Sequence, residues 1–202
     1  MLIAGFLALC LFGCSSNEKK AAPFQVAFTA ARLNESAVSE FGASLLNRIP
    51  ELSIDGNAPL FTPMITGETQ NNVEAGIIAD PMMAMTGMMR QAALVSTGDI
   101  DVFISDMENA ARNARGDMFL PLSEVFTDFE LAALNNRFLS FDLVNTDGYE
   151  TTPTGEKTPV CGIDITGNEM MLRIFGNQEI GVFIAANTKN MELAKKVMLS
   201  FL

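Results

Sequence analysis

The sequence contains no histidine. Histidine is the commonest general base in enzymes, the usual activator of serine and cysteine nucleophiles, and the commonest transition-metal ligand. Its absence removes a required part from the Ser-His-Asp triad, the zinc-protease site and the facial-triad iron site. We therefore expect no enzyme of these classes, no bound metal and no cofactor.

Basic residues are also scarce. The 202 residues include 13 Lys and Arg against 24 Asp and Glu, which gives a formal net charge of -11. The few basic residues are scattered along the chain rather than clustered. Because nucleic-acid binding needs a basic surface that neutralises phosphates, this composition argues against a nucleic-acid partner.

The apolar run over residues 2–13 is too short to cross a bilayer as a helix. A spanning helix needs about 20 apolar residues, whereas an export signal needs about 7 to 15. We therefore predict an export signal here. No Lys or Arg precedes the run, so the basic start that is typical of such signals is missing.

The run ends in the tetrapeptide LFGC at residues 11–14, which resembles a bacterial lipobox. The resemblance implies that Cys14 becomes the new N-terminus and carries lipid, although Phe12 is bulkier than usual. We expect a lipoprotein signal peptide at 1–13, a tether at 14–23 and one domain at 24–202, held on the extracytoplasmic face of a bacterial cell membrane. A cleaved ordinary signal and a short anchor remain the alternatives.

Cysteine is rare, with three residues in the chain. Cys10 would leave with the signal and Cys14 would be acylated, so Cys161 would be the one free thiol of the mature protein. A single thiol forms no internal disulfide, and no histidine activates it. We expect Cys161 to be a small buried residue in a strand.

The composition allows one α/β domain. The chain is 49% hydrophobic and 18% charged, which is enough apolar surface for one core but too little length for two full lobes. Patterns of period two and period 3.6 alternate along it. We predict strands at 24–30, 60–66, 101–106, 137–144, 160–165 and 180–186, helices at 34–49, 81–95, 107–115, 123–135, 168–175 and from 187–190 to 202, and loops at 67–72 and 145–158.

Alternating strands and helices of these lengths are typical of a mostly parallel sheet covered on both faces. The handedness of crossover connections then favours a three-layer α/β sandwich. The second predicted helix carries a cluster of methionines without a neighbouring cysteine or histidine. We expect these side chains to pack in the core rather than to bind a soft metal. They are Met82, Met83, Met85, Met88 and Met89.

Three segments together resemble the extracellular solute-binding protein superfamily, the two-lobed receptors of bacterial ABC importers. They are residues 96–106 (STGDIDVFISD), 119–124 (FLPLSE) and 181–202, which contains the turn NTKN before a helix. The resemblance implies a periplasmic-binding-protein-like lobe that binds an unknown small molecule and serves an importer permease. The stretch between Asp106 and Cys161 is too short for a second lobe, so we expect a reduced, single-lobe member.

Ligands of open α/β sheets bind outside the carboxyl ends of the strands. Thr29, Ala30 and Asp106 lie at such ends in the predicted strands, and Asp164 lies near the predicted crossing point. We predict these four as ligand-binding residues, with Asp106 accepting hydrogen bonds from a cationic or hydroxylated ligand. An ordinary turn or cap role is the alternative for each of them.

Three functions remain open at this point. The first is a reduced solute receptor, and the second is a membrane-surface interaction module that binds another protein through the sheet edge or the methionine-bearing helix. The third is a hydrolase that uses the carboxylate pairs Asp99/Asp101 or Asp147/Glu150. We expect no enzyme, because solvated carboxylates are common in loops and their sequence spacing does not determine their separation in space.

Overall fold

The computed structural model describes residues 22–66, 81–134, 137–147 and 150–202. The predicted signal peptide, Cys14 and most of the predicted tether lie outside these ranges, as does the predicted loop at 67–72. The statements below concern the described residues.

Strands and helices alternate from residue 25 to residue 115 and again from residue 162 to residue 199, whereas further helices and then consecutive strands lie between. The strands are β1 (Gln25–Ala30), β2 (Leu60–Ile65), β3 (Val102–Asp106), β4 (Phe138–Leu139), β5 (Asp142–Asp147), β6 (Glu150–Lys157), β7 (Gly162–Asp164) and β8 (Ile180–Ile184). The helices are α1 (Glu35–Arg48), α2 (Pro81–Thr97), α3 (Met107–Arg115), α4 (Leu122–Val125), α5 (Asp128–Ala133), α6 (Glu169–Phe175) and α7 (Met191–Leu199), with a 3-10 turn at Pro50–Leu52. The α/β class is confirmed.

In the part of the chain that the structure describes, six strands form one sheet in the order β2-β1-β3-β8-β7-β4. β1 pairs in parallel with β2 and with β3, whereas β8 is antiparallel to β3 and β7, and β4 is antiparallel to β7. Four strands therefore run in one direction and two in the other. The predicted parallel arrangement holds for β1, β2 and β3, and the sheet as a whole is mixed.

Helices pack on both faces of this sheet. Val26 and Phe28 of β1 join a cluster with α1, α6 and α7, whereas Ala27 between them joins a second cluster with α2 and α3. Successive strand residues point to opposite faces, so the two clusters lie on opposite sides of the sheet. The β1-α1-β2 and β2-α2-β3 connections thus pass over different faces, as right-handed crossovers in opposite directions require.

Helix α1 illustrates how the local sequence builds these elements. Asn34 caps it by accepting a hydrogen bond from the Ala37 backbone N–H at 3.2 Å, which satisfies one of the open donors of the first turn. Val38, Phe41 and Leu45 recur at spacings of three and four and are buried against the sheet. The helix therefore begins and ends within one residue of the predicted bounds.

The largest departure from the predicted elements lies at residues 142–157. The sequence pattern predicts a loop at 145–158, but β5 and β6 form a two-stranded hairpin with Thr146 opposite Thr151 and Asn145 opposite Thr152. β-branched threonines favour extended backbone even when both faces of the ribbon are exposed. The Gly, Asp and Pro residues in the same segment favour turns, which is why the sequence pattern predicted a loop.

The predicted helix at 123–135 is two short helices, α4 and α5. The break comes at Thr127, whose hydroxyl accepts from the Glu130 backbone N–H at 3.3 Å while the Glu130 carboxylate accepts from the Thr127 N–H at 2.8 Å. This reciprocal capping box starts a new helix. The predicted strand at 137–144 is likewise divided into β4, in the main sheet, and β5, in the hairpin.

Candidate functional site

The four predicted ligand-binding residues lie along the same edge of the sheet. Thr29 and Ala30 end β1, Asp106 ends β3 and Asp164 ends β7, and these three strands run in the same direction. The connection after β1 leads to β2 on one side, and the connection after β3 leads to β4 on the other, so the switch point of the topology lies between β1 and β3. β8 separates Asp106 from Asp164, so they are two strand spacings, about 10 Å, apart.

The Asp106 carboxylate is held by the protein itself. It caps α3, where Oδ1 accepts from the Asn109 backbone N–H at 2.8 Å and from Asn109 Nδ2 at 2.9 Å. Its Oδ2 accepts from the backbone N–H of Ala31 at 3.3 Å, and the residue is 7% exposed. Asp106 therefore joins the end of β1 to the start of α3. The alternative prediction for this residue, a cap role, is confirmed.

Thr29 and Ala30 support this edge from within. The Thr29 hydroxyl donates to Ser105 Oγ at 2.7 Å, and Ser105 Oγ in turn donates to the backbone carbonyl of Asp106 at 3.0 Å. Thr29, Ala30 and Ser105 are fully buried, with Ala30 in the α1-side core. In this conformation their side chains pack and form hydrogen bonds at the switch point, and they do not face solvent.

A polar network continues outward from Asp106. Thr66 Oγ1 donates to Asn109 Oδ1 at 2.7 Å, and Arg112 Nη1 lies 3.4 Å from both Asn109 Oδ1 and the Thr66 carbonyl. Sequence reasoning missed these three residues. The spacing of three from Asp106 to Asn109 and from Asn109 to Arg112 places them on one side of α3 and was the available indication.

Asp164 lies apart from this network. Its Oδ1 accepts from the Thr166 backbone N–H at 2.8 Å, and the residue is half-buried. This contact shapes the turn that leads to α6. The structure thus brings Thr29, Ala30 and Asp106 together and places Asp164 across β8 from them.

The two carboxylate pairs also have structural contacts. Asp101 is 2% exposed and accepts from the Gln25 N–H at 2.9 Å, from Thr188 Oγ1 at 2.6 Å and from Asn190 Nδ2 at 3.1 Å. It therefore joins the starts of β1 and β3 to the turn before α7. Asp147 stands opposite Glu150 in the backbone pairing at the tip of the β5–β6 hairpin.

The prediction that the methionines of α2 pack in the core is wrong for the four whose side chains the structure describes, and the side chain of Met83 lies outside the described residues. Met82 is 73% exposed, Met85 55%, Met88 37% and Met89 62%. The inner side of the helix instead carries Gly87 and Gln91, with Leu94 and Val95 packed against the second core cluster. Gly87 lies so close to β2 that a Cβ atom there would collide with the Ile65 carbonyl oxygen.

Burial of Gln91 on the same inner side confirms the orientation of α2. Gln91 is 6% exposed and donates to Asn113 Oδ1 of α3 at 2.7 Å. Helix α2 carries apolar residues on all its sides, and the side with Gly87 and Gln91 faces the sheet. We call the outward side, defined by Met82, Met85, Met88 and Met89, the methionine face.

A cleft of about 400 Å³ lies on the opposite side of the sheet, between α1, α6 and the end of the chain. Phe41 of α1 and Phe201 stack at its base, with ring centroids 5.8 Å apart. Arg48 and Arg173 also line it. No local sequence pattern indicates this cleft, because its walls come from segments more than a hundred residues apart.

Cys161 is buried, as predicted, with 4% exposure. Burial raises the pKa of its thiol to about 11, so little thiolate is present near neutral pH. In the described ranges no group of three or more Cys, Asp or Glu side chains is placed to hold a metal ion.

Comparison with known proteins returned no relative. No protein-family model, curated protein or solved structure matches the chain. Among the helices that the structure describes, none is long and apolar enough to cross a membrane.

The three segments at residues 96–106, 119–124 and 181–202 are neighbours in space. Phe119, in the second segment, forms a bridge with Ala185 of the third, and the Leu120 N–H donates to the Ile184 carbonyl at 3.0 Å. Asp101 of the first segment accepts from Thr188 of the third. The segments therefore pack as one unit around β3 and β8.

Proposed function

We propose that this chain is an extracytoplasmic, lipid-anchored binding protein that works at the membrane surface through the methionine face of α2. In this proposal Cys14 carries the lipid, and the domain is a reduced, single lobe of the periplasmic-binding-protein kind, with helices on both faces of its sheet as in a three-layer sandwich. The protein has no catalytic activity.

The observation that carries the proposal is the exposure of the methionine face. A surface helix normally presents polar and charged residues to solvent. Met85 and Met89, four residues apart on one side of α2, are more than half exposed, and Arg90 is the one charged residue of this helix. Such a contiguous apolar surface marks a contact site.

The charge around this face indicates an anionic bilayer as its partner. α2 and α3 together carry Arg90, Arg112 and Arg115 against Glu108 alone, in a chain whose net charge is -11. Arg112 contacts the Met88 sulfur at 3.7 Å and also pairs with Glu108 at 3.3 Å. Arg90 and Arg115 supply the excess positive charge of the two helices. Apolar side chains bordered by arginines are suited to the interface of an anionic membrane.

The length of the predicted tether and the position of β1 support this orientation. Residues 14–23 can span at most roughly 35 Å, so an acylated Cys14 would keep the domain near the lipid surface. The chain enters β1 beside the end of α2, where the Asp101 N–H donates to the Gln25 carbonyl at 2.9 Å. A tether that emerges there lets α2, about 26 Å long, lie along the bilayer.

A second candidate function is a solute receptor for an importer permease. It is favoured by the switch point between β1 and β3 and by the packing of the three family-like segments around β3 and β8. It ranks second because the Thr29 hydroxyl and the Asp106 carboxylate, both predicted to contact ligand, are engaged in internal hydrogen bonds.

The chain has no tryptophan, so a single introduced tryptophan reports on one position. In the full-length Met85→Trp variant, we expect the fluorescence to shift to shorter wavelength with vesicles of phosphatidylcholine and phosphatidylglycerol, and brominated lipids to quench it. The matched control is Ser39→Trp, at an exposed position of α1 on the other side of the sheet. Its emission should stay that of a water-exposed indole.

Equal shifts at both positions, or none at position 85, would refute the proposed orientation. A shift at position 85 that requires vesicles containing membrane proteins would overturn the bilayer as partner and favour a membrane protein instead. Loss of the shift in vesicles of phosphatidylcholine alone would support the role assigned to the arginines.

A further inference from the structure

The cleft between α1, α6 and the end of the chain has the size and lining of a small-molecule site. Its volume of about 400 Å³ falls within the range of known ligand pockets. At its base the rings of Phe41 and Phe201 lie nearly parallel, with 11° between their planes. Both residues are buried, so the base is a fixed apolar surface.

Helix α1 supplies polar groups beside this base. Phe41, Ser44 and Arg48 are spaced by three and four residues, which puts a ring, a hydroxyl and a guanidinium on one side of the helix. Among the described residues Ser44 Oγ has no hydrogen-bond partner and the side chain is exposed, so it is open to a ligand. α6 adds Met170 and Arg173 from the opposite wall.

Arg48 retains most of its hydrogen-bonding capacity. Its Nη1 donates to the Ser200 carbonyl at 3.2 Å, which positions the guanidinium at the cleft. In the described part of the chain it forms no ion pair, and a guanidinium has five N–H donors. Arg173, in contrast, is neutralised by Glu40 at 2.5 Å.

We propose that this cleft binds a small organic monocarboxylate, with its carboxylate on Arg48 and its apolar body against Phe41 and Phe201. Guanidinium and carboxylate match in geometry and form paired hydrogen bonds. A doubly charged phosphate fits less well, because Glu169 also lines the cleft. The site lies across the sheet from the methionine face, so this inference does not rest on the proposed function.

Titration calorimetry of the full-length protein with benzoate tests the inference. We expect saturable binding that Arg48→Gln weakens by at least about tenfold, which corresponds to the loss of a charge-assisted contact. Lys196→Gln is the matched control, since Lys196 is an exposed cation nearby that pairs with Glu51 at 3.1 Å and does not line the cleft. It should bind benzoate like the unmodified chain.

Two further measurements do not depend on the folding of Arg48→Gln. Benzoate should shift the amide resonances of Ser44 and Ser200 in the unmodified protein, and neutral benzamide should not. Arg48→Lys keeps the charge but loses the planar fork, so it should retain weakened binding. Absence of benzoate binding at millimolar concentration, equal binding of benzamide, or unchanged affinity in Arg48→Gln would each overturn the inference.

Discussion

At the scale of single residues, the sheet edge is organised by Asp106. Its carboxylate satisfies two backbone donors, on Ala31 and Asn109, that come from separate connections. A buried donor that loses its acceptor carries the full cost of its desolvation. The side chain chosen from the sequence as a ligand contact is therefore first a structural one.

Asp106→Ala should lower the free energy of unfolding by about 2 kcal/mol, through loss of the α3 cap and of the Ala31 contact. Asp106→Asn keeps one acceptor oxygen for the α3 cap but turns its NH2 toward the Ala31 N–H, so it should recover only part of this loss. Asp164→Ala, at the same edge, removes one hydrogen bond to Thr166 and should cost less than about 1 kcal/mol. Urea denaturation measures all three, and equal losses for Asp106→Ala and Asp164→Ala would contradict the assigned role.

At the scale of elements, α5 is joined to α7 by an ion pair. Glu130 Oε1 lies 2.7 Å from Lys195 Nζ, and the Lys195 ammonium also stands 4.8 Å from the centre of the Phe126 ring. The same carboxylate closes the Thr127 capping box. One side chain thus starts a helix and connects it to the last helix of the chain.

These contacts make the contribution of Glu130 to the stability of the fold dependent on pH. The Lys195 hydrogen bond, followed by those from Thr127, lowers the pKa of Glu130 from 4.5 to about 2. A carboxyl group with a lowered pKa in the folded state stabilises the fold above its unfolded pKa, and this contribution is lost as the pH falls toward 2. Between pH 4.5 and 2 the unmodified chain should therefore lose more stability than Glu130→Gln.

Glu124→Gln is the control for this experiment, because Glu124 is exposed on neighbouring α4 and forms no ion pair in the described residues. It should keep the acid dependence of the unmodified chain. Chemical denaturation at a series of pH values measures the effect. Parallel curves for Glu130→Gln and the unmodified protein would show that the ion pair does not form in solution.

At the scale of the whole molecule, local patterns predicted the elements that carry a buried stripe. β3 follows from its apolar run, α3 from the helical segment directly after it, and α1 from its spacing of Val38, Phe41 and Leu45. In each case one short segment contains the information. The α/β class could be deduced from the sum of such segments.

Features that depend on contacts distant in sequence could not be deduced in this way. Helix α2 carries apolar residues on all its sides, so their periodicity does not predict which side faces the sheet. That side is determined by the close approach of Gly87 to β2. Strand β8 lies between β3 and β7 and is antiparallel to both. No local sequence pattern predicts this position or direction. The cleft lined by Arg48 is formed by α1, α6 and Phe201, which are distant in sequence, so no local pattern predicts it either.

The burial of Cys161 makes it a reporter of the opening of the whole fold. It packs in the second core cluster with Phe183 and Phe103 of the central strands, and its thiol pKa is raised to about 11 by burial. A thiol reacts as the thiolate, so both reagent access and reactivity require the core to open. In the Cys10→Ser, Cys14→Ser chain at pH 8, modification of Cys161 should be slow and should accelerate with urea in step with the loss of helical circular dichroism. Fast modification without urea, while the helical signal stays intact, would show that the sheet opens locally at β7 and that the two clusters do not form one cooperative unit.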